Sequence, residues 1–183
     1  MPDHAEGTTA TAVVELRDGA RIRVRPITPE DKPRLLRGFE RLGQESVYKR
    51  FLSPLTELRP MDLVYLTEVA PHDHEALIAL DERGGEAVGV ARYVRSATDP
   101  GRAEFAVTVV DDWQRRGVGT VLIRRLSERA REEGVTAFTA LLLAENHEMR
   151  GLLEKLGSFR MTDIASGTME VEGRLERPGG PPA

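Results

Sequence analysis

Val107-Thr108-Val109-Val110-Asp111-Asp112-Trp113-Gln114-Arg115-Arg116-Gly117-Val118-Gly119-Thr120 is the stretch on which the reading of this chain turns. A run rich in β-branched residues passes through a short polar turn into two glycines spaced by one residue. The segment 117–133 that follows carries Val118, Val121, Leu122, Leu126 and Ala130 at helical spacing. A strand, a glycine turn and a helix start, in that order, build an anion site. Glycine lets the backbone approach a phosphate, and the first helical turn leaves N–H groups free to face it. Arg115 and Arg116 add positive charge beside the same place. A dinucleotide fingerprint would need a third glycine near position 122, which is Leu122, and a strand directly before the first glycine. A P-loop would need Gly-Lys-Ser/Thr, which is absent. Two glycines alone leave open whether they hold an anion or only permit close helix–strand packing.

Working outward, the chain alternates between the two periods. Before the stretch, Arg21-Ile22-Arg23-Val24-Arg25 alternates as a half-buried strand after the Asp18-Gly19 turn signal. Thr28-Pro29-Glu30-Asp31 reads as an N-cap, a first-turn proline and first-turn acids, with Leu35, Leu36, Phe39 and Leu42 as the apolar stripe behind them. Further helices are expected over 45–51 and 60–69. Strands are expected over 76–80 and 87–93, joined at Arg83-Gly84-Gly85, and over 103–110. After the long helix, which stops at Gly134, come a strand over 138–143, a helix over 146–156 and a strand pair over 159–171 turning at Ser166-Gly167. The order β-α-α-α-β-β-β-α-β-α-β-β is that of an α/β (α+β) domain, with a mixed sheet of about 6–7 strands flanked by helices. The domain is expected over 16–172, with flexible tails at 1–15 and 173–183.

The 183 residues suit one domain plus tails. A net charge of −4 argues against a general nucleic-acid binder. No apolar run approaches a membrane span, and the first residues lack the pattern of a signal peptide. There is no cysteine, which removes disulfides, thiolate metal sites and cysteine nucleophiles together. His72 and His74 flank Asp73, but two loop histidines lack a third ligand, so no metal is expected. These features together lead to the expectation of a cytoplasmic protein, a monomer or homodimer, without nucleic-acid or membrane partners.

Gln114-Arg-Arg-Gly-Val-Gly119 resembles the Gln/Arg-x-x-Gly-x-Gly/Ala acetyl-CoA signature of the GNAT N-acetyltransferase superfamily. Asn146-His-Glu-Met-Arg-Gly-Leu-Leu-Glu-Lys-Leu-Gly157 resembles that family's second motif, and the element order is similar to the GNAT fold. Within the family, Leu16-Arg-Asp-Gly, Arg25-Pro-Ile-Thr-Pro-Glu-Asp, Glu45-Ser-Val-Tyr-Lys-Arg-Phe51, Ala103-Glu104-Phe105-Ala106 and Leu143-Ala-Glu-Asn146-His-Glu-Met149 resemble bacterial protein lysine acetyltransferases. The resemblance implies acetyl-CoA as cosubstrate and a primary amine as acceptor, a protein lysine or a small molecule. It implies that Arg115, Arg116, Gly117, Val118, Gly119 and Thr120 offer main-chain N–H groups to the pyrophosphate, with Gln114 opening the loop. It places the main chains of Val109 and Val107 along the pantetheine arm, Asn146 against the cofactor, and Arg124 or Arg125 near the 3′-phosphate. Asn146 reads equally as a plain N-cap.

By spacing alone, Glu104 is either a strand-end residue, solvated or paired with Arg92 or Arg102, or a base whose apolar neighbours raise its pKa. The resemblance implies the general base. Tyr48 and Phe51 are expected on the acceptor side or in the core. Two departures stand out. Leu153 occupies the position where many members carry a Tyr general acid. The domain-sized chain also leaves no room for the nucleotide-sensing or CoA-ligase-like domain that the lysine acetyltransferases often carry, so cyclic-nucleotide regulation is not expected. The expected reaction is direct transfer, since no cysteine can carry the acetyl group. A small-amine acetyltransferase and a non-catalytic acyl-CoA-binding module are the alternatives.

Overall fold

A computed structural model describes residues 11–70 and 72–175. Eight strands form one sheet in the order β1-β2-β3-β4-β5-β6-β8-β7. They are β1 Ala12–Glu15, β2 Arg21–Pro26, β3 His74–Asp81, β4 Ala87–Arg95, β5 Arg102–Val109, β6 Ala137–Leu143, β7 Phe159–Ala165 and β8 Thr168–Arg174. Every pairing is antiparallel except β5 with β6. The helices are α1 Lys32–Glu40, α2 Gln44–Phe51, α3 Pro60–Thr67, α4 Val118–Glu132 and α5 His147–Leu156.

The sheet has one strand more than expected. Ala12–Glu15 lies inside the stretch read as a tail, yet it pairs with Arg21–Val24 through the Asp18-Gly19 turn. Four residues with only alternate positions half-buried give too short a period-2 signal to read from sequence. At the other end β8 runs to Arg174 and Leu175 is buried, so the folded part extends past 172. Residues 1–10 and 176–183 of the expected tails lie outside the described residues.

β3 is buried on both faces because helices cover both sides of the sheet centre. α4 lies over β3, β4 and β5 on one face, and α1 lies over β4 on the other. Gly89 lets α4 sit close: a Cβ there would lie 3.0 Å from Leu122 Cδ1 and 3.2 Å from Val118 Cγ1. The entry to α1 is held by Asp31, fully buried, which accepts bidentate bonds from Arg25 (2.6 and 2.7 Å) and one from Arg34 (3.1 Å). Burial alone would raise the Asp31 pKa. The Arg25 hydrogen bond, the Thr28 N–H and both arginine charges outweigh it and hold the group below its ordinary value.

The feature that positions the site is the end of one pairing. β5 and β6 pair only over Arg102–Glu104 and Ala137–Thr139. Beyond that, β5 continues with β4 alone and β6 with β8 alone, so the two parallel strands part.

Candidate active site

Ser96 N–H donates to Arg102 O (2.8 Å) and Val110 N–H donates to Val88 O (3.1 Å), so the even-numbered residues of β5 bond to β4. Alternation in an antiparallel ladder then turns the main-chain N–H and C=O of Val107 and Val109 to the opposite edge, into the gap left by β6. The Val109 carbonyl is already engaged, accepting from Gln114 Nε2 (3.1 Å). Val109 therefore offers its N–H, and Val107 offers both groups.

The loop after β5 is braced on three sides. Asp111 accepts from Gly43 N–H (3.0 Å) and from Ser46 Oγ (2.7 Å), capping α2 from across the fold. Gln114 Nε2 joins the same cluster at Ser46 Oγ and Asp111 Oδ1, both 3.2 Å. Asp112 holds Arg41 at 2.7 and 3.0 Å. Arg116 lies over the Trp113 ring (3.9 Å to the centroid) and donates to Asp18 in the β1–β2 turn (2.5 Å). Trp113 is buried and packs this loop onto the core.

Arg115 and Gly117 have φ of 59° and 100°. A Cβ on Gly117 would meet nothing within 4 Å, so this glycine is needed for conformation. Gly119 differs: a Cβ there would lie 3.0 Å from Leu152 Cδ2, so it serves packing of α4 on α5. The two glycines thus serve different ends, backbone conformation at 117 and close packing at 119. No side chain caps α4, and its first ladder bond is Val121 N–H to Gly117 O (3.1 Å), which leaves the N–H groups of Val118, Gly119 and Thr120 without ladder partners. With the partial positive charge of a 15-residue helix behind them, these groups suit an anion. The two arginines also divide. Arg115 is exposed and makes no side-chain hydrogen bond or ion pair among the described residues, whereas the Arg116 side chain is engaged within the fold.

Asn146 is buried and caps α5, with Oδ1 accepting from Met149 N–H (3.2 Å). Leu153 is fully buried in the core. Lys49 joins α2 to α5 through Glu45 (2.6 Å) and Glu148 (3.0 Å).

A cavity of 480 Å³ is lined by Arg50, Phe51, Tyr65, Arg92, Glu104 and Ala106, among others. A smaller apolar cavity of 70 Å³, walled by Phe39, Leu42, Val90 and Thr108, shares Arg50, Phe51 and Arg92 with it. Glu104 is at the last β5–β6 pair, where the strands begin to part. Its side chain is exposed in the cavity wall; Phe105 turns to the opposite face and is buried in the core. Neither expected ion pair forms. Arg102 holds Glu172 (3.1 Å), while Arg92 donates to Leu66 O (2.9 Å) and to His74 Nε2 (3.1 Å).

Phe51 is in both cavity walls and packs edge-on to Phe39. Tyr48 is exposed and lines neither. The two histidines part company. His72 is exposed and pairs with Glu133, whereas His74 is buried against Arg92 and Tyr65, and that burial and the Arg92 charge push it down to about 4. Sequence reasoning missed Asp18, Asp111, Asp112 and Ser46 as braces, and Arg50 and Arg92 as cavity cations. Only Asp18 carried a signal, as a turn residue.

The gap, the free helix start and the adjoining cavity together form the candidate site. The model of the Acetyltransferase (GNAT) family matches residues 44–158, and the chain belongs to that family: it is an N-acetyltransferase that works with acetyl-CoA. It is 32% identical over 177 residues to Acetyltransferase PA5475 of Pseudomonas aeruginosa, covering 92% of this chain and 95% of that one. It is 36% identical over 145 residues to Acetyltransferase Pat of Mycolicibacterium smegmatis, covering 79% of this chain and 43% of that protein, so the chain spans under half the length of this relative. The crystal structure of the GNAT domain of S. lividans PAT superposes with a TM-score of 0.84 at 33% identity, covering 90% of this chain and 96% of that domain. Among the described residues no helix is long and apolar enough to cross a membrane.

Proposed function

We propose that this chain transfers acetyl directly to a primary amine, a protein lysine by its motifs, with Glu104 as the base. The observation that carries the reading is the parting of β5 and β6 just past Glu104, beside an uncapped α4. Acetyl-CoA, when bound, supplies an activated acyl thioester. The main chains of Val107 and Val109 hold its amide arm, as an added strand would be held. The N–H groups from Arg115 to Thr120 receive its pyrophosphate; Arg116 contributes backbone, since its side chain is engaged by Asp18 and Trp113. Asn146 keeps Nδ2 for the cofactor while Oδ1 caps α5. Glu104 takes the ammonium proton, directly or through water. Leu153 has no proton to give, so water or another group protonates the thiolate.

A small amine or amino acid is the second reading for the acceptor, favoured by a 480 Å³ cavity of the size that encloses small molecules. The test is CoA release with a lysine peptide. Glu104→Gln is expected to lower kcat by about 10²–10⁴-fold with acetyl-CoA affinity unchanged. Full activity in that variant would remove Glu104 from the mechanism. Acetyl-CoA is also expected to raise the Tm of the wild type, and no rise would overturn cofactor binding.

A further inference from the structure

The cavity beside Glu104 holds two arginines with no carboxylate partner. Arg92 is 5% exposed, and among the described residues its only acceptors are neutral, the Leu66 carbonyl and the His74 ring. A guanidinium has five N–H donors, so several remain unused. Arg50 is half-buried, and among the described residues it makes no hydrogen bond or ion pair; it lies 4.9 Å from the Phe51 ring centroid, and the Glu104 charge reaches it only from beyond ion-pair distance. Other arginines packed into the fold do have carboxylate partners. Arg25 has Asp31, Arg41 has Asp112, and Arg129 has Glu75, Glu132 and Glu133. Burying a cation without an anion is costly, and Arg92 shows it, with burial and then the nearby Arg50 charge pushing it down to about 10.

The acids on the wall do not repair the imbalance. Asp62 is held by Arg59 at 3.0 and 3.1 Å. Glu104 is not ion-paired with either arginine. Arg50 and Arg92 against Glu104 leave one uncompensated positive charge in the wall. We infer that the acceptor carries a carboxylate besides its amine, and that Arg50 and Arg92 bind it. This rests on the proposed reading of the cavity as the acceptor site. A monoanion balances the wall, and the planar guanidinium fork matches a carboxylate. The carboxylate belongs to an amino acid or to an acidic residue beside an acceptor lysine.

The test compares matched ligands on the full chain by calorimetry: leucine against leucinamide, and lysine peptides with Glu or Gln beside the lysine. The carboxylate member of at least one pair is expected to bind tenfold or more tightly, and the pair that discriminates names the source. Arg50→Gln is expected to cut that preference below threefold, and Arg92→Gln to do the same if its Tm shows it folded. Ratios within one protein cancel a general loss of binding. Equal affinities within threefold in both pairs, or no measurable binding of any member, would overturn the inference. So would a preference that survives Arg50→Gln. Acetyl-CoA is titrated separately. Failure to bind it while the carboxylate preference persists would break the transferase reading and leave the anion site standing.

Discussion

Around the β5–α4 loop the charges are paired within the fold: Arg116 with Asp18, Arg41 with Asp112, and Asp111 with Gly43 and Ser46, leaving Arg115 exposed. Around the cavity beside Glu104, among the described residues, Arg50 and Arg92 have no anion and Glu104 has no cation within ion-pair distance. The first region is organised before any ligand arrives, so binding there spends little on ordering. The second leaves charge unsatisfied, so its stability depends on what enters it and on pH. The comparison can be broken by finding the acceptor side insensitive to pH or the loop tolerant of change.

His74 gives the largest expected effect. Its Nε2 accepts from Arg92, and burial and the Arg92 charge lower its pKa from 6.5 to about 4. A group whose folded pKa is depressed gives stability that is full above its unfolded value. That stability is lost as the pH falls from 6.5 toward 4. A shift of that size corresponds to roughly 2–3 kcal/mol. Urea unfolding at pH 7 and pH 4.5 measures it. His74→Gln is expected to flatten the dependence over this window, and an unchanged slope would assign it to other groups.

The same contrast explains what could be read from sequence. The loop is one continuous segment, so its strand, its two glycines and its helix announced themselves through spacing, and Val107 and Val109 turn their main chains into the gap. Its braces did not show. Asp18 and Ser46 are 98 and 68 residues from their partners, and nothing local couples Asp18 to Arg116 or Ser46 to Gln114. The cavity was least legible because α2, the loop 52–59, α3, β4 and β5 each give it only two or three residues. Arg50 and Arg92 look like ordinary surface residues until the sheet and helices bring them together. β1 escaped because four residues cannot establish a period.

Gly117 tests the loop's preorganisation through its backbone. At φ 100° a β-branched residue is strained by roughly 1–2 kcal/mol. Gly117→Val is expected to lose that much stability. It should also weaken acetyl-CoA binding at least tenfold, because the free N–H groups just beyond it would be re-aimed. Gly151→Ala is the control, since Gly151 is inside α5 with open space where its Cβ would go. It should gain about 0.5–1 kcal/mol and leave affinity alone. Equal acetyl-CoA affinity in both variants would mean the loop adapts.

Gln114 gives the smallest effect and the finest distinction. Its motif position implies cofactor contact, whereas its amide nitrogen faces Val109 O, Ser46 Oγ and Asp111 Oδ1. One donor group shared among three acceptors is a brace, and its loss costs about 1 kcal/mol. Gln114→Ala also releases the Val109 carbonyl toward the β5–β6 gap, adding an acceptor where an amide arm would lie. The two changes oppose each other in binding. Stability in urea is therefore expected to fall while the acetyl-CoA Kd moves less than about threefold. A tenfold rise in Kd with unchanged stability would show that Gln114 turns to the cofactor when it binds, and the loop would then be less finished than its hydrogen bonds suggest.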